Sequence, residues 1–185
     1  MVTVPLSFAN GVWAGFAHLG LVGSGWVYNL GVKATLWSWL PYAVGFGLLP
    51  AFITLGLPAQ PWPPAWVMVV GGLLGVGAHF ANVLPDIDDD LAHGIRGLPQ
   101  RMGRTSAGAA ALAVLVSASA IVLLAPAGPP TVTAWIGALA VLAIAGFGAW
   151  SLRSGSRSEA VFPAALGVAL IDVVMVLDAA RSIIT

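Results

Sequence analysis

The residues best suited to chemistry in this chain form one short acidic segment. Asp86 and Asp90 lie four positions apart with Asp88 and Asp89 between them, and together they are four of the seven acidic residues among 185. Four carboxylates this close repel one another unless a cation neutralises them. Oxygen donors with few nitrogen and no sulfur partners suit Mg²⁺, which keeps several waters and bridges one or two carboxylates to a substrate's phosphates. The segment is therefore a candidate Mg²⁺ site.

The spacing of the two outer acids predicts how they are presented. Residues four apart share one face of a helix, so Asp86 and Asp90 project together if the preceding helix continues or restarts here. Traced backwards, the same face carries Asn82 and His79. Pro85 removes a backbone donor, so we expect it to end or kink the helix and to re-aim the acids.

Basic residues accompany this segment. Arg96, Arg101 and Arg104 follow it, and Lys33 lies in an earlier loop. Metal-binding acids beside guanidinium groups are what a diphosphate requires, because metal and bidentate donors must match its charge. A solvated acidic turn between two helices is the other interpretation that these residue types leave open.

The rest of the composition indicates what positions these groups. The chain is 59% hydrophobic and 8% charged, whereas soluble domains carry about 25% charged residues, so this is a membrane protein. Its 23 glycines suit closely packed membrane helices. The net charge of zero gives no reason to expect a nucleic-acid partner, and the absence of cysteine excludes disulfides and thiolate chemistry.

Six apolar stretches are long enough to span a bilayer, which takes about 20 residues. We therefore predict an all-α, polytopic transmembrane helix bundle of about six helices, forming a single transmembrane domain over residues 1–185. Proline, glycine and charge clusters separate the stretches. Their predicted limits are 8–30, 36–57, 64–84, 106–126, 131–152 and 160–182.

The basic residues predict the orientation of this bundle. Six of the seven lie in loops after the first, third and fifth helices, and the loops after the second and fourth carry no charge. The positive-inside rule places the charged loops in the cytoplasm. We therefore expect an integral protein of the cell membrane whose acidic segment faces the cytoplasm. The six residues are Lys33, Arg96, Arg101, Arg104, Arg153 and Arg157.

The acidic segment and its continuation resemble the second aspartate-rich motif, D-x-x-x-D, of the UbiA superfamily of intramembrane prenyltransferases. The matching stretches are Asp86-Ile-Asp-Asp-Asp90, Gly94-Ile-Arg96 and Leu98-Pro99-Gln-Arg101-Met-Gly103. Tyr28-Asn-Leu-Gly-Val-Lys33 is similar to the family's Tyr/Lys element, with one residue more. The resemblance implies helices around a central cavity and Mg²⁺-dependent transfer of a prenyl group from its diphosphate to an aromatic or other small acceptor.

The resemblance also implies roles for individual residues. Asp86 and Asp90 would bind Mg²⁺, and Asp89 or Asp88 would contact the ion through a water molecule or support one of its ligands. Tyr28 would contact the oxygen that joins the diphosphate to the prenyl carbon. The diphosphate oxygens would be bound by Lys33, Arg96 and Arg101. His79 and Asn82 either contact substrate or hydrogen-bond between helices, and the sequence leaves both open.

One departure from the family pattern shapes the functional expectation. The first motif, Asn-Asp-x-x-Asp, does not occur before Tyr28, so the chain matches family helices four to nine, the C-terminal two-thirds. The expected partners are a prenyl diphosphate, a lipophilic acceptor and the lipid bilayer, with a missing N-terminal segment or a homo-oligomer completing the site. The alternative is a non-catalytic six-helix membrane protein that binds lipid or a partner, or a small transporter.

Two acids lie outside the motif. Asp172 falls inside the last predicted helix, where a carboxyl group at mid-membrane depth costs about 2.5–3.5 kcal/mol, so it should face the bundle rather than lipid. Asp178 and Arg181, three positions apart, are predicted to form a local pair.

Overall fold

Six long helices occupy the six predicted stretches. The computed structural model describes residues 3–154, 160–180 and 183, and no strand occurs among them. The prediction of an all-α bundle is confirmed. The helices are α1 (Thr3–Ser7), α2 (Val12–Asn29), α3 (Leu40–Leu55), α4 (Ala65–Val83), α5 (Ile87–Ala92), α6 (Leu98–Leu124), α7 (Val132–Ser154) and α8 (Val161–Asp178), with a 3-10 turn at Val32–Ala34.

Four helix boundaries differ from the predicted limits by four residues or more. Two are the start of α2 at Val12 and the end of α8 at Asp178, and the other two have a visible local cause. Helix α3 begins at Leu40 rather than near residue 36, because the Thr35 hydroxyl accepts a hydrogen bond from the Trp37 N–H at 3.1 Å and favours a turn over a helix. Helix α6 begins at Leu98 rather than near residue 106, because a polar first turn precedes its apolar part. The two parts meet at Gly103, whose φ of 79° bends the helix.

Four of the described helices are long and apolar enough to cross a membrane, namely α4, α6, α7 and α8. Helix α3 is apolar but shorter, at 16 residues. Helix α2 has 18 residues, and its glycines and polar side chains such as His18 give it a lower hydropathy. Large apolar side chains such as Leu139 and Leu170 are exposed on the outer helix faces, as contact with lipid requires.

The main core lies between α4, α6, α7 and α8, around Phe80, Leu115, Val141 and Val168. Helix α3 packs on α4, and α2 packs mainly on α3, so α2 stands at the edge of the bundle. The buried Asp172 lies between α8 and α6, where Ser119 donates a hydrogen bond to it. The expectation that Asp172 faces the bundle is confirmed.

Small residues let α3 and α4 touch backbone to backbone. A Cβ at Gly75 would lie 2.4 Å from the Tyr42 carbonyl oxygen, and one at Gly71 would lie 2.5 Å from the Phe46 carbonyl oxygen. These distances are far below a normal contact, so only glycine fits there. The close approach fixes the position of Tyr42 relative to the end of α4.

Two segments that carry charge meet at one end of the bundle. Gly97, which precedes α6, packs against the carbonyl of Lys33 after α2. At the other end, the Trp13 ring at the start of α2 contacts the Trp62 ring before α4 in a tilted arrangement, with ring centroids 6.1 Å apart. Asp178 is bonded there by the Thr131 hydroxyl. Its predicted partner Arg181 lies outside the described residues, as does Arg157.

Candidate functional site

The acidic segment is a short helix that restarts after a break. Helix α4 ends at Val83, two residues before Pro85, and α5 begins at Ile87 with Asp86 at its N-cap position. The Asp90 N–H donates to the Asp86 carbonyl at 2.8 Å. The two acids therefore stand one helical turn apart, with Asp86 exposed and Asp90 half-buried.

The acids between and beside them have different partners. Arg104 makes an ion pair with Asp88 at 2.9 Å and also donates to the carbonyl of Leu84 at the end of α4. The Asp89 side chain is exposed, and its carbonyl is 2.8 Å from the His93 ring Nδ1. Arg104 thus links α5 to the end of α4, and no basic side chain within the described ranges pairs with Asp86 or Asp90.

The donor chemistry fits a divalent cation that is shared with substrate and water. Asp86 and Asp90 supply carboxylate oxygens at the surface of the bundle, and Mg²⁺ is commonly held by one or two carboxylates with waters completing its shell. Within residues 3–154, 160–180 and 183, no three Asp, Glu or His side chains gather as a protein-only metal cage. Asp86 and Asp90 can therefore supply two oxygen ligands to such an ion.

A buried polar cluster lies behind Asp90. Gln100, in the first turn of α6, donates from Nε2 to the Asp90 carboxylate at 2.8 Å. The Ser38 hydroxyl accepts the Leu98 N–H at 3.0 Å and is 3.1 Å from His79 Nε2. Ser38, His79 and Gln100 are 0%, 1% and 5% exposed. The cluster ties the loop before α3, the middle of the bundle and the start of α6 to the acidic segment.

Aromatic rings continue from this cluster towards an apolar cavity. The Tyr42 ring stacks on His79 at 4.7 Å, and Tyr28 meets both of them edge-on, at 5.2 Å from Tyr42 and 5.7 Å from His79. His79 joins these rings to the polar cluster, because its Nε2 lies 3.1 Å from the Ser38 hydroxyl. Side chains from α2, α3 and α4 thus meet at one place.

The cavity lies between α2 and α3 and has a volume of about 480 Å³. Tyr28 and Tyr42 close the end nearest the acids. Its walls are mainly apolar, which suits a hydrocarbon chain more than a charged ligand. The remaining lining residues are Leu21, Ser24, Gly25, Asn29, Pro41, Gly45, Phe46 and Leu49.

The predicted cations surround the same end without pairing with Asp86 or Asp90. Lys33 is half-buried in the 3-10 turn, and its carbonyl contacts Gly97. Arg96 is exposed, and its carbonyl accepts a hydrogen bond from Arg101 Nε at 2.7 Å. Asn82 is exposed in the last turn of α4. These side chains remain available for a ligand that approaches from this end.

Three residues of this site were not identified from the sequence. Tyr42 is one of many aromatic residues in the chain, and Ser38 lies between two tryptophans in a stretch predicted as helix. Gln100 had a usable signal, since it is an amide ten positions after Asp90 at the start of an apolar helix. Only the packing of α3, α4 and α6 reveals that the three converge.

Comparison with known proteins gives one match. The family model of the UbiA prenyltransferase family matches residues 1–169, which includes every residue of the site described above. No curated protein and no solved structure matches the chain.

Proposed function

Since the chain belongs to the UbiA prenyltransferase family, we propose that it is a Mg²⁺-dependent intramembrane transferase. It would move a prenyl group from a prenyl diphosphate to an aromatic or other small lipophilic acceptor. The proposal is supported by the occurrence, in one bundle, of two carboxylates that pair with no basic side chain among the described residues, Asp86 and Asp90, and of an apolar cavity lined by Tyr28 and Tyr42. A substrate with a diphosphate head and a hydrocarbon tail matches both halves.

The diphosphate head belongs at the acidic end. Asp86 and Asp90 would hold Mg²⁺, which when bound supplies positive charge against the leaving diphosphate. Lys33, Arg96 and Arg101 bring further positive charge to the same face. Charge that grows on the departing oxygens is stabilised there by groups already in place, and in many enzymes such stabilisation accounts for most of the rate enhancement.

The prenyl chain belongs in the cavity between α2 and α3. Tyr28 lines this cavity and contacts His79 of the polar cluster, and in this proposal its hydroxyl donates to the oxygen that leaves the prenyl carbon. The ring face of Tyr42 can stabilise an allylic cation by about 0.5–2 kcal/mol. The apolar walls keep water from the reactive carbon, so transfer is favoured over hydrolysis.

A non-catalytic binding protein is the second candidate, favoured by one observation: the first aspartate motif does not occur in the sequence. The enzymatic proposal therefore requires a preceding segment or a second copy of the chain to complete the diphosphate clamp.

Turnover by the purified chain in lipid nanodiscs tests the proposal. Prenyl diphosphates of several lengths are supplied with Mg²⁺ and a mixture of small aromatic acceptors, and diphosphate release is measured. Asp86→Asn and Asp90→Asn should each lower release about 100-fold or more, because each removes charge stabilisation at the leaving group. Asp178→Asn, an acid at the opposite end, is the matched control and should leave release unchanged.

Two results would contradict the enzymatic proposal. The first is diphosphate release that is equal in the parent chain, Asp86→Asn and Asp90→Asn. The second is no release by the parent chain when it is expressed together with any coding sequence that precedes Met1 in frame. Ion flux in liposomes without release would favour the transporter alternative.

A further inference from the structure

We infer that Gln100 is a positioning residue for Asp90 and holds its carboxylate in the orientation that binds the divalent cation. This inference rests on the proposed function, because it concerns one ligand of the same Mg²⁺. Gln100 acts through Asp90 and is not itself placed against substrate.

The hydrogen bond has a defined direction. A carboxylate only accepts, so the amide nitrogen of Gln100 must face Asp90, as the 2.8 Å Nε2–Oδ2 distance has it. One carboxylate oxygen is thereby fixed, and the other remains for a cation. Asp90 is only half-buried, so without this bond its side chain would rotate among several rotamers.

A neutral donor serves this purpose better than a cation. Arg104 pairs with Asp88 and offsets its negative charge. The Gln100 amide orients Asp90 without offsetting its charge, so the full carboxylate charge stays available to a metal. Asp88 is thus held by an ion pair that anchors α5. Asp90 is held by a neutral hydrogen bond that leaves its charge available to the metal.

The backbone that carries Gln100 is held in place by its neighbours. A Cβ at Gly97 would lie 2.7 Å from Gln100 Oε1 and 2.9 Å from Ser38 Oγ, so the absence of a side chain at Gly97 makes room for the amide, whose Oε1 has no hydrogen-bond partner among the described residues. Leu98 is bonded to Ser38, and Ser38 contacts the buried His79. The start of α6 is therefore anchored to α4, which limits the movement of Gln100.

Direct metal binding tests this role without requiring turnover. Mn²⁺ can replace Mg²⁺ in oxygen sites, and its binding to the purified full chain in nanodiscs is measured by electron paramagnetic resonance in the absence of substrate. Gln100→Met keeps the size of the side chain and removes the donor. We expect Mn²⁺ affinity to fall about 10–100-fold, the usual effect of losing a hydrogen-bond partner of a metal ligand.

Gln60→Met makes the same change in an exposed loop at the other end of the bundle and should bind Mn²⁺ as the parent does. Circular dichroism melting shows whether each variant is folded. If Gln100→Met does not fold, Gln100→Asn replaces it, since it keeps a buried amide but withdraws the donor from Asp90 and should also weaken Mn²⁺ binding.

Asp90→Asn separates this inference from the proposed function. If Asp90→Asn weakens Mn²⁺ binding and the folded Gln100 variant binds like the parent, the positioning role is wrong and the metal site stands. If the parent binds no Mn²⁺, or Asp90→Asn binds as tightly as the parent, the proposed metal site and the role of Gln100 are both overturned.

Discussion

Asp172 shows how a single acid is accommodated inside the bundle. It is fully buried in α8, and the Ser119 hydroxyl of α6 donates to one of its oxygens. Its other oxygen has no partner among the described residues. The contact is a hydrogen bond between helices and not an ion pair, so a neutral acceptor of the same shape can replace the carboxyl group.

We predict that Asp172→Asn changes the free energy of unfolding by less than about 1 kcal/mol, because the amide keeps an acceptor for Ser119. Asp172→Ala should destabilise the protein by about 1–3 kcal/mol, since it removes the partner and leaves a void. Thermal unfolding in detergent micelles measures both. Equal stability of the alanine and asparagine variants would show that the Ser119 contact contributes nothing.

At the scale of residues, the sequence predicts which side chains matter better than it predicts their partners. The acids stand out because charge is rare in this chain, and the burial of Asp172 follows from its depth in an apolar stretch. Ser119, 53 positions away, and Ser38, 41 positions from His79, are common residue types. Their roles arise only when helices distant in sequence pack together.

At the scale of elements, glycine determines how closely α3 approaches α4. The backbones meet at Gly71 and Gly75, where any Cβ would collide with a carbonyl oxygen of α3. The same α3 carries Tyr42 into the candidate site. Packing of these two helices therefore sets the distance between the aromatic rings and the acidic segment.

We predict that Gly75→Ala destabilises the protein by about 1–3 kcal/mol, the usual effect of overpacking against a rigid neighbour. Gly146→Ala is the matched control, because a Cβ there in α7 meets nothing within 4 Å, and it should be neutral or stabilising by up to about 1 kcal/mol. Denaturant titration in micelles compares them. A Gly75→Ala variant as stable as Gly146→Ala would contradict this account of the interface.

Hydropathy predicts the centres of the six long helices and is less accurate at their ends. Three of the four residues 36–39 are apolar, yet the Thr35 hydroxyl accepts the Trp37 N–H and favours a turn there. The segment from Leu98 to Met102 is helical although it precedes the apolar part of α6, and the Ser38 hydroxyl accepts the N–H of its first residue. In both places a hydrogen bond to a side-chain hydroxyl favours the observed helix start.

At the scale of the whole molecule, two charged segments lie together at one end. The turn that carries Lys33 packs against Gly97, which follows the acidic segment, whereas the uncharged loop before α4 lies near the start of α2 through Trp62 and Trp13. The prediction that the charged end is cytoplasmic rests on the charge asymmetry. That asymmetry is readable from the sequence because six of the seven basic residues follow the first, third and fifth of the six predicted spans.

Because the chain has no cysteine, a single introduced cysteine is its only thiol, and labelling of that thiol shows on which side of the membrane its loop lies. We predict that Leu36→Cys is labelled by a membrane-impermeant maleimide in inverted vesicles only, and Ala127→Cys in right-side-out vesicles only. Both side chains are exposed. The reverse pattern would place the acidic segment outside the cell, and labelling of both from one side would contradict the alternation of helices.

The edge position of α2 has a mechanical consequence. Helix α2 packs mainly on α3, whereas α8 is held by α4, α6 and α7. Under tension on the amino terminus, the seam between α2 and α3 should yield first, in a force step separate from the rupture of the remaining bundle. The same interface forms the walls of the apolar cavity. The two helices that we expect to separate first under load are therefore the two between which an apolar chain has room to enter from the side.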